Sequence, residues 1–540
     1  MTVVSGGIAE FVKMQKNNKL KTLEKVQVSS RNEKLEKQTE ELLFDNGYGG
    51  FSKDGKEYKF CVNRDNKIPT IWSNCISNKG FGVITTENMH DLIWNKNSRL
   101  NRITTWNNDT ILNIPSQIFY VKDEENNLVW TLNSNINPNP NYYYITYGFG
   151  YSKYRNVYDD IVQNIDIFVP NEENSAITKI RFKNTSDKTK TLKILVYTKI
   201  VLGEDESSTN GNCYFEKKEN TIFMKNMLGI QEFNKIAYIS SNMDIKRFTK
   251  SKKIFFGNGT IKIPDSLFVD NFESCSGIGN CLAIEFEIKL KEYEEKYLVL
   301  NIGQENNLAE IYKISNKFKI LENVDNALEE VNKKWTNFMN NLVIKTPDDD
   351  LNILINGWLI YQTISCRLWG KSGFYQSGGA NGFRDQLQDC LGMKYIDINL
   401  LREQILKCSR HQFYEGDVLH WWHDETKKGV RTKFSDDLLW LPYSVCEYIK
   451  FSNDYGILDE KVEYLEGDNL KDNEYEVYNL YYSSNLSESL YSHCLKAINK
   501  ACNFGENGLP KIGSGDWNDG FSNIGVKGKG ESVWLRILFI

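Results

Sequence analysis

The sequence predicts a multidomain chain, β first and α second: an antiparallel β-sandwich over residues 1–302, a helical linker over 303–345 and a helical domain over 346–540. Three observations carry this. A chain of 540 residues exceeds what one ordinary core supports. Up to about residue 300 the apolar residues come in short alternating or β-branched runs, separated by Asn, Gly, Asp and Pro. Beyond residue 303 they recur at spacings of three and four.

In chain order, the N-terminus (MTVVSGGIAEFVKMQKNNKLKTLEK) has no basic segment leading into an apolar one, and no run of eighteen apolar residues occurs anywhere. A cytoplasmic protein with no membrane partner is expected. Tyr142–Tyr147, Ile161–Val169, Ala176–Phe182, Thr191–Leu202 and Ala283–Leu290 read as strands, and their spacing is that of an antiparallel sandwich. NLAEIYKISNKF and VDNALEEVNKKWTNFMNNL read as connector helices. KTPDDDLN then caps the next helix, because carboxylates at a helix N-terminus meet free amides and the positive end of the dipole. Leu351–Leu368 is apolar nearly all round, which predicts a buried helix. Ser435 is expected to cap a helix with Asp436 and Asp437 in its first turn, and Ser487–Asn503 to form another.

Composition narrows the function classes. With 66 basic and 71 acidic side chains the net charge is -5, so no global field gathers nucleic acid. Aromatic residues make up 13% of the chain, which suits stacking on sugar rings and equally a large β-rich core. The 11 cysteines lack CxxC pairs or short regular spacing, so neither a zinc site nor a disulfide framework is expected.

Four polar and aromatic loops in the second half are candidate sites: residues 369–389, 411–437, 466–478 and 513–520. In FRDQLQD, Asp385 and Asp389 fall on one helix face beside Arg384, either as an ordinary first turn or as ligand groups. Gly378 and Gly379 permit close approach of backbone to a ligand. His420 and His423 of HWWH have no third ligand at fixed spacing, so no metal is expected there. Trp421 and Trp422 suit a sugar platform or a core pair. Arg431 suits phosphate or vicinal hydroxyls, or an exposed turn. Residues 465–481 read as solvated cover. GSGDWNDG is an Asx-type turn by composition, yet a carboxyl beside the Trp517 indole loses hydration and becomes a plausible proton donor.

Taken together, WGKSGFYQSGGANGFRDQLQD, GDVLHWWHDETKKGVRTKFSDDLLWLPYSV, SLYSHCLKAI and GSGDWNDGFSNIGVKGKGESVWL, in that order, resemble the glycoside hydrolase family 94 phosphorylases. NGYGGFSKDGKEY and YGFGYSKYRN in the first half resemble stretches that precede that family's catalytic domain, closest to its β-1,2-glucan members. The resemblance implies an (α/α)6 barrel after the linker, and inverting phosphorolysis of a β-glucosyl bond to α-glucose 1-phosphate. Oligosaccharide and inorganic phosphate are the partners it implies, with no organic cofactor. By motif, it implies Asp519 as general acid and Trp517 beside the non-reducing glucose. It implies Arg384 and Asp385 on the glucosyl unit, with Gln376, His420, Trp421, Trp422 and Arg431 on the open face of the barrel. Lys371 stands where relatives are expected to carry arginine. Relatives are commonly dimeric, so a homodimer is compatible. The resemblance also implies further barrel helices, a histidine and a Thr-Gly pair beyond GESVWL, so a C-terminally truncated chain with an incomplete barrel and impaired activity is expected. A non-catalytic carbohydrate-binding protein and an inverting hydrolase using Asp385 as second carboxylate remain as alternatives.

Overall fold

The structure, a computed structural model, describes residues 41–539 apart from 210, 230, 271, 273–275 and 472. The reading of the N-terminal segment lies outside the described residues. Among them, no helix is long and apolar enough to cross a membrane.

The first half is a sandwich. One layer is an eleven-stranded antiparallel sheet that includes Tyr143–Gly148, Tyr151–Tyr158, Ile161–Phe168, Ser175–Asn184 and Glu295–Glu305. Two five-stranded sheets face it. One centres on Lys190–Thr198 between Gln117–Asp123 and Leu282–Leu290; the other runs from Ile200–Gly203 to the edge strand Ser73–Ser77. Burial alternates residue by residue along Tyr151–Tyr158, as a half-covered pleated strand requires. Ile93, Phe119, Ile165, Ile194 and Ile222 join all three sheets in one core. The run Thr191–Leu202, expected as one strand, is two strands in different sheets. Lys199 between them donates its amide to the Ser116 carbonyl, which carries the chain from one sheet to the other.

Two connector helices follow, α1 (Leu308–Phe318) and α2 (Leu321–Asn340). Asn307 caps α1 by accepting from the Glu310 amide. In α2, Val324, Ala327, Val331, Trp335 and Met339 make the buried stripe. Asp348, accepting from the amides of Asp350 and Leu351, caps the third helix, α3, which spans residues 349–370. It is wound with π-helical geometry over Leu354–Trp358 and Thr363–Gly370. Its inner face packs on the sandwich: Trp358 Nε1 donates 2.9 Å to Gly55, and the Tyr361 hydroxyl donates to Asn74 Oδ1 and the Cys75 carbonyl at 2.8 and 3.0 Å. Leu351, Leu354 and Leu359 are exposed, so α3 is buried on one side and not all round as its composition suggested.

Four longer helices follow, α4 (Phe383–Met393), α5 (Ile398–Ser409), α6 (Asp437–Ser452) and α7 (Leu490–Ala501); they share a second core through Leu387, Leu401, Leu441 and Leu490, which Leu535 of the short helix Val533–Leu538 joins. The fold class is thus an antiparallel sandwich followed by a helical region. One expected cap is displaced: Asp436 holds the cap position of α6 while Ser435 donates its hydroxyl to the Ile512 carbonyl. The helix expected over Ser487–Asn503 is the shorter α7, capped by Ser489, whose hydroxyl accepts from the Ser492 amide. The HWWH segment, expected as a loop, is the strand Leu419–His423, paired with Lys428–Thr432.

Trp335 joins the parts. Its ring lies 4.7 Å from Tyr361 and 5.6 Å from Trp369, and its indole sits over Gly150, where a Cβ would come within 2.4 Å of Nε1. Trp335→Ala empties a site shared by sandwich, linker and α3; a loss of about 3–5 kcal/mol is expected, read from the midpoint of denaturant unfolding.

Candidate active site

The GSGDWNDG loop divides its two aspartates. Gly513 has φ 65° and lies where a Cβ would meet the Lys433 carbonyl at 2.0 Å, so the loop passes tightly under the strand ending at Thr432. Asp516 is buried: one oxygen accepts from the Asn518 amide at 3.0 Å, the other from the Ser532 hydroxyl at 2.7 Å. Asn518 in turn accepts from the Gly520 amide. These are the Asx turns that the composition suggested. Asp519 takes no part in them. Its side chain is 53% exposed and lines a cleft of about 650 Å³, together with Ser514, Phe434, Glu474 and Glu476.

Arg384, in the first turn of α4, reaches Asp519. Nη2 donates to both carboxylate oxygens, at 2.9 and 3.1 Å, and Nη1 donates to Asp436 Oδ2 at 3.1 Å and to the Asp516 carbonyl at 3.3 Å. Asp436 and Asp437 open α6 with both side chains buried, and each keeps one oxygen without a partner. Asp437 accepts from His420 Nδ1 at 2.8 Å, and the His420 ring stacks on Phe434 at 4.5 Å. Burial opposes protonation of His420, but Asp437 and then Asp519 outweigh it and hold the imidazole above its usual pKa.

A second cleft, about 610 Å³, is lined by Asp385, which lies 3.7 Å from Arg384 Nε. Lys371, Gln376, Trp421, His423 and Arg99 also line it. Lys371 holds a left-handed conformation at φ 45°, and burial lowers the pKa of its amine. Arg99 comes from the sandwich, and so does Asn97 behind it. Asn97 Nδ2 donates to the Gly379 carbonyl at 3.3 Å and to Glu425 at 3.0 Å, and lies 2.9 Å from His423 Nδ1. Gly379 has φ 65° and a Cβ there would fall 2.2 Å from Asn97 Oδ1, so the site loop and the sandwich are fitted together at this glycine.

Of the residues singled out in the sequence, Arg384, Asp519 and His420 converge, and Asp385, Gln376 and Trp421 meet in the second cleft. Trp422 and Arg431 turn inward. Alternation along the strand buries Trp422, which stacks on His411 at 3.9 Å and donates to Asp424. Arg431 is 1% exposed and spends its donors on Asp417, Glu415, Asn469 and the carbonyls of Gly467 and Asp468, with Phe413 at 3.7 Å beneath it. Arg431 has no donor left for a ligand, and Trp422 lines a separate cleft with His411 and Tyr482. Trp517 is 50% exposed and donates to Gln388 at 3.4 Å, so the indole does not enclose Asp519 as expected. Residues 473–476 do cover a site, the Asp519 cleft. Asp436 and Asn97 were missed as site residues. An Asp doublet opening an otherwise apolar helix was the available signal for the first; nothing local marks the second.

Comparison with known proteins now bears on this arrangement. Residues 56–320 match the model of the glycosyl hydrolase 94 supersandwich domain, and residues 334–540 that of the glycosyl hydrolase 94 superfamily catalytic domain. The chain belongs to glycoside hydrolase family 94. Among curated relatives, it is 32% identical to a cyclic beta-(1,2)-glucan synthase of Rhizobium meliloti, covering 92% of this chain and 18% of the synthase. It is 22% identical to an N,N'-diacetylchitobiose phosphorylase of Vibrio furnissii, covering 91% of this chain and 63% of that enzyme. The family 94 chain therefore spans less than two thirds of either relative. A bacterial glucoamylase solved with acarbose aligns at TM-score 0.45 and 11% identity, covering 73% of this chain and 59% of that one.

Two predictions test the geometry. Arg431→Ala strands Asp417 in a buried cluster and should lower stability by about 3–5 kcal/mol, read from the urea midpoint. In imidazole NMR titrations His420 should titrate above 6.5, and His411 and His493, depressed by burial, near about 4. A raised value means that the folded protein binds the His420 proton more tightly than the unfolded chain. Its stabilisation is thus complete below about pH 6.5 and fades as pH rises through the folded value; in Asp437→Asn that pH-dependent increment should vanish.

Proposed function

We propose that this chain carries the sugar-binding and proton-donating part of a glycoside phosphorylase, with β-1,2-linked oligoglucans as favoured substrates and β-1,4 cello-oligosaccharides next. Asp519 protonates the glycosidic oxygen while a phosphate oxygen attacks the anomeric carbon from the opposite face. The products are α-glucose 1-phosphate and a sugar shortened by one unit. One carboxylic acid suffices, because phosphate replaces the base-activated water of an inverting hydrolase. Inorganic phosphate is co-substrate and no organic cofactor takes part. The observation that carries the reading is the half-open Asp519, gripped from behind by a buried arginine in a cleft wide enough for sugar residues.

Supporting it, Trp421 offers an aromatic face and Asp385 and Gln376 hydrogen-bonding groups in the adjoining cleft, as a pyranose requires. His420 and Arg384 bring positive charge close to Asp519. The β-1,2 preference draws on the synthase named above, and phosphorolysis on the chitobiose phosphorylase. Eight cysteines among the described residues, Cys75 and Cys281 among them, are free of disulfides, which suits a reducing, cytoplasmic setting. One observation favours hydrolysis as a second reading: Glu474 and Glu476 share the Asp519 cleft and could activate water.

Incubation with sophorose-series or cello-oligosaccharides, with and without phosphate, tests both. Phosphate-dependent glucose 1-phosphate at the impaired level expected from the sequence supports the reading, with a further loss of at least about 100-fold in Asp519→Asn. Free glucose released without phosphate would establish the hydrolytic reading instead.

A further inference from the structure

The two carboxylates that hold Arg384 differ in kind. Asp436 is wholly buried; its Oδ2 receives Arg384 Nη1 and Trp440 Nε1, each at 3.1 Å, and its Oδ1 has no partner. Asp519 faces the cleft, and Arg384 Nη2 contacts both its oxygens. An anion sealed from water cannot release its cation without leaving a bare buried charge, whereas a half-exposed one can exchange it for solvent or ligand. Asp519 cannot present a proton to a glycosidic oxygen while both oxygens accept from Nη2. It must turn away, and Nη2 then needs another oxyanion.

We infer that Asp436 is a positioning residue: it keeps Arg384 fixed while Nη2 passes from Asp519 to an incoming oxyanion, so that binding of the anion frees the acid. The identity of that oxyanion as inorganic phosphate rests on the phosphorolytic reading. The exchange replaces one ion pair by another; the released Asp519 carboxylate then takes a proton from solvent, which it later gives to the glycosidic oxygen. Without the anion the acid stays clasped, which suppresses transfer of the glycosyl unit to water.

Asp436 has to be ionised for this grip. Burial and the adjacent Asp437 push its carboxyl up to about 6, against the pull of Arg384 and the Trp440 bond. The charged groups around it are Asp437 on α6 and Arg384 on α4, with His420 beyond the first and Asp519 beyond the second. The grip therefore holds above about pH 6 and loosens as pH falls through that value.

The test measures inorganic phosphate binding by 31P line broadening, with phosphorolysis kinetics alongside, for the full chain, Asp436→Asn and Trp440→Phe. Asp436→Asn should weaken phosphate binding roughly tenfold at about pH 7.5, and the gap to wild type should narrow at about pH 5.5. Trp440→Phe keeps both charges and should weaken binding in the same direction by less; it decides the matter if Asp436→Asn does not fold. Equal phosphate affinity in all three proteins, or none in the wild type, overturns the inference. Weakened binding in the variants with no glucose 1-phosphate from any β-glucoside leaves Asp436 as the positioning residue and removes the phosphorolytic reading.

Discussion

The backbone of Ser73–Ser77, the last strand of its sheet, is met by side chains of α3 where a further strand would otherwise pair. Tyr361 and Ser365 donate hydroxyl protons to the Cys75 carbonyl, and the Ser77 hydroxyl donates to the Ser365 carbonyl at 2.8 Å. A helix that satisfies a sheet edge in this way has its azimuth and its height set by the hydrogen bonds. Everything downstream inherits that placement. The loop after α3 begins at Lys371 and ends at Gly382, and α4, which carries Arg384, begins one residue later. The loop is held from the sandwich side at Ser98, which donates to the Lys371 carbonyl and accepts from Ser377.

The chemistry of the site is a matter of layered charge. The deepest layer is the pair of carboxylates that open α6, placed where the helix N-terminus favours negative charge. The next is cationic, Arg384 and His420, each fixed by one of those carboxylates. The outermost is Asp519. Fixing a cation with an anion that water cannot reach leaves it little freedom to reorganise, which is the condition under which electrostatic stabilisation contributes most to a reaction. Such a stack also explains why Arg384 sits so deep: it bridges layers, and an ammonium group would lack the fork needed to hold two carboxylates and a carbonyl at once.

Much of the sandwich was legible, because alternation of apolar residues marks stretches such as Ile161–Phe168 and Leu282–Leu290 as strands. The break at Lys199 was not, since both halves of that run are β-branched and only a tertiary bond to Ser116 separates them. HWWH does not alternate by polarity: Trp421 and His423 line a cleft together, Trp422 is core and His420 sits at a register shift. Arg431 looked like a ligand group because its partners lie at residues 415–417 and 467–469, beyond any local pattern. Composition alone makes all of DWND a turn, as Asp516 and Asn518 are, and only the family resemblance set Asp519 apart from it.

The seam also imposes an order on biosynthesis. Ser77 and Ser365 are 288 residues apart in sequence. At ribosomal speeds of about 5–20 residues per second, the cover for that strand emerges roughly 15–60 seconds after the strand itself. During that interval the nascent sandwich presents an unpaired rim, open to a neighbouring chain as readily as to its own helix. The short length of the strand and its central Asn74 and Cys75, neither of them a strong β former, make that rim a poor template while it waits.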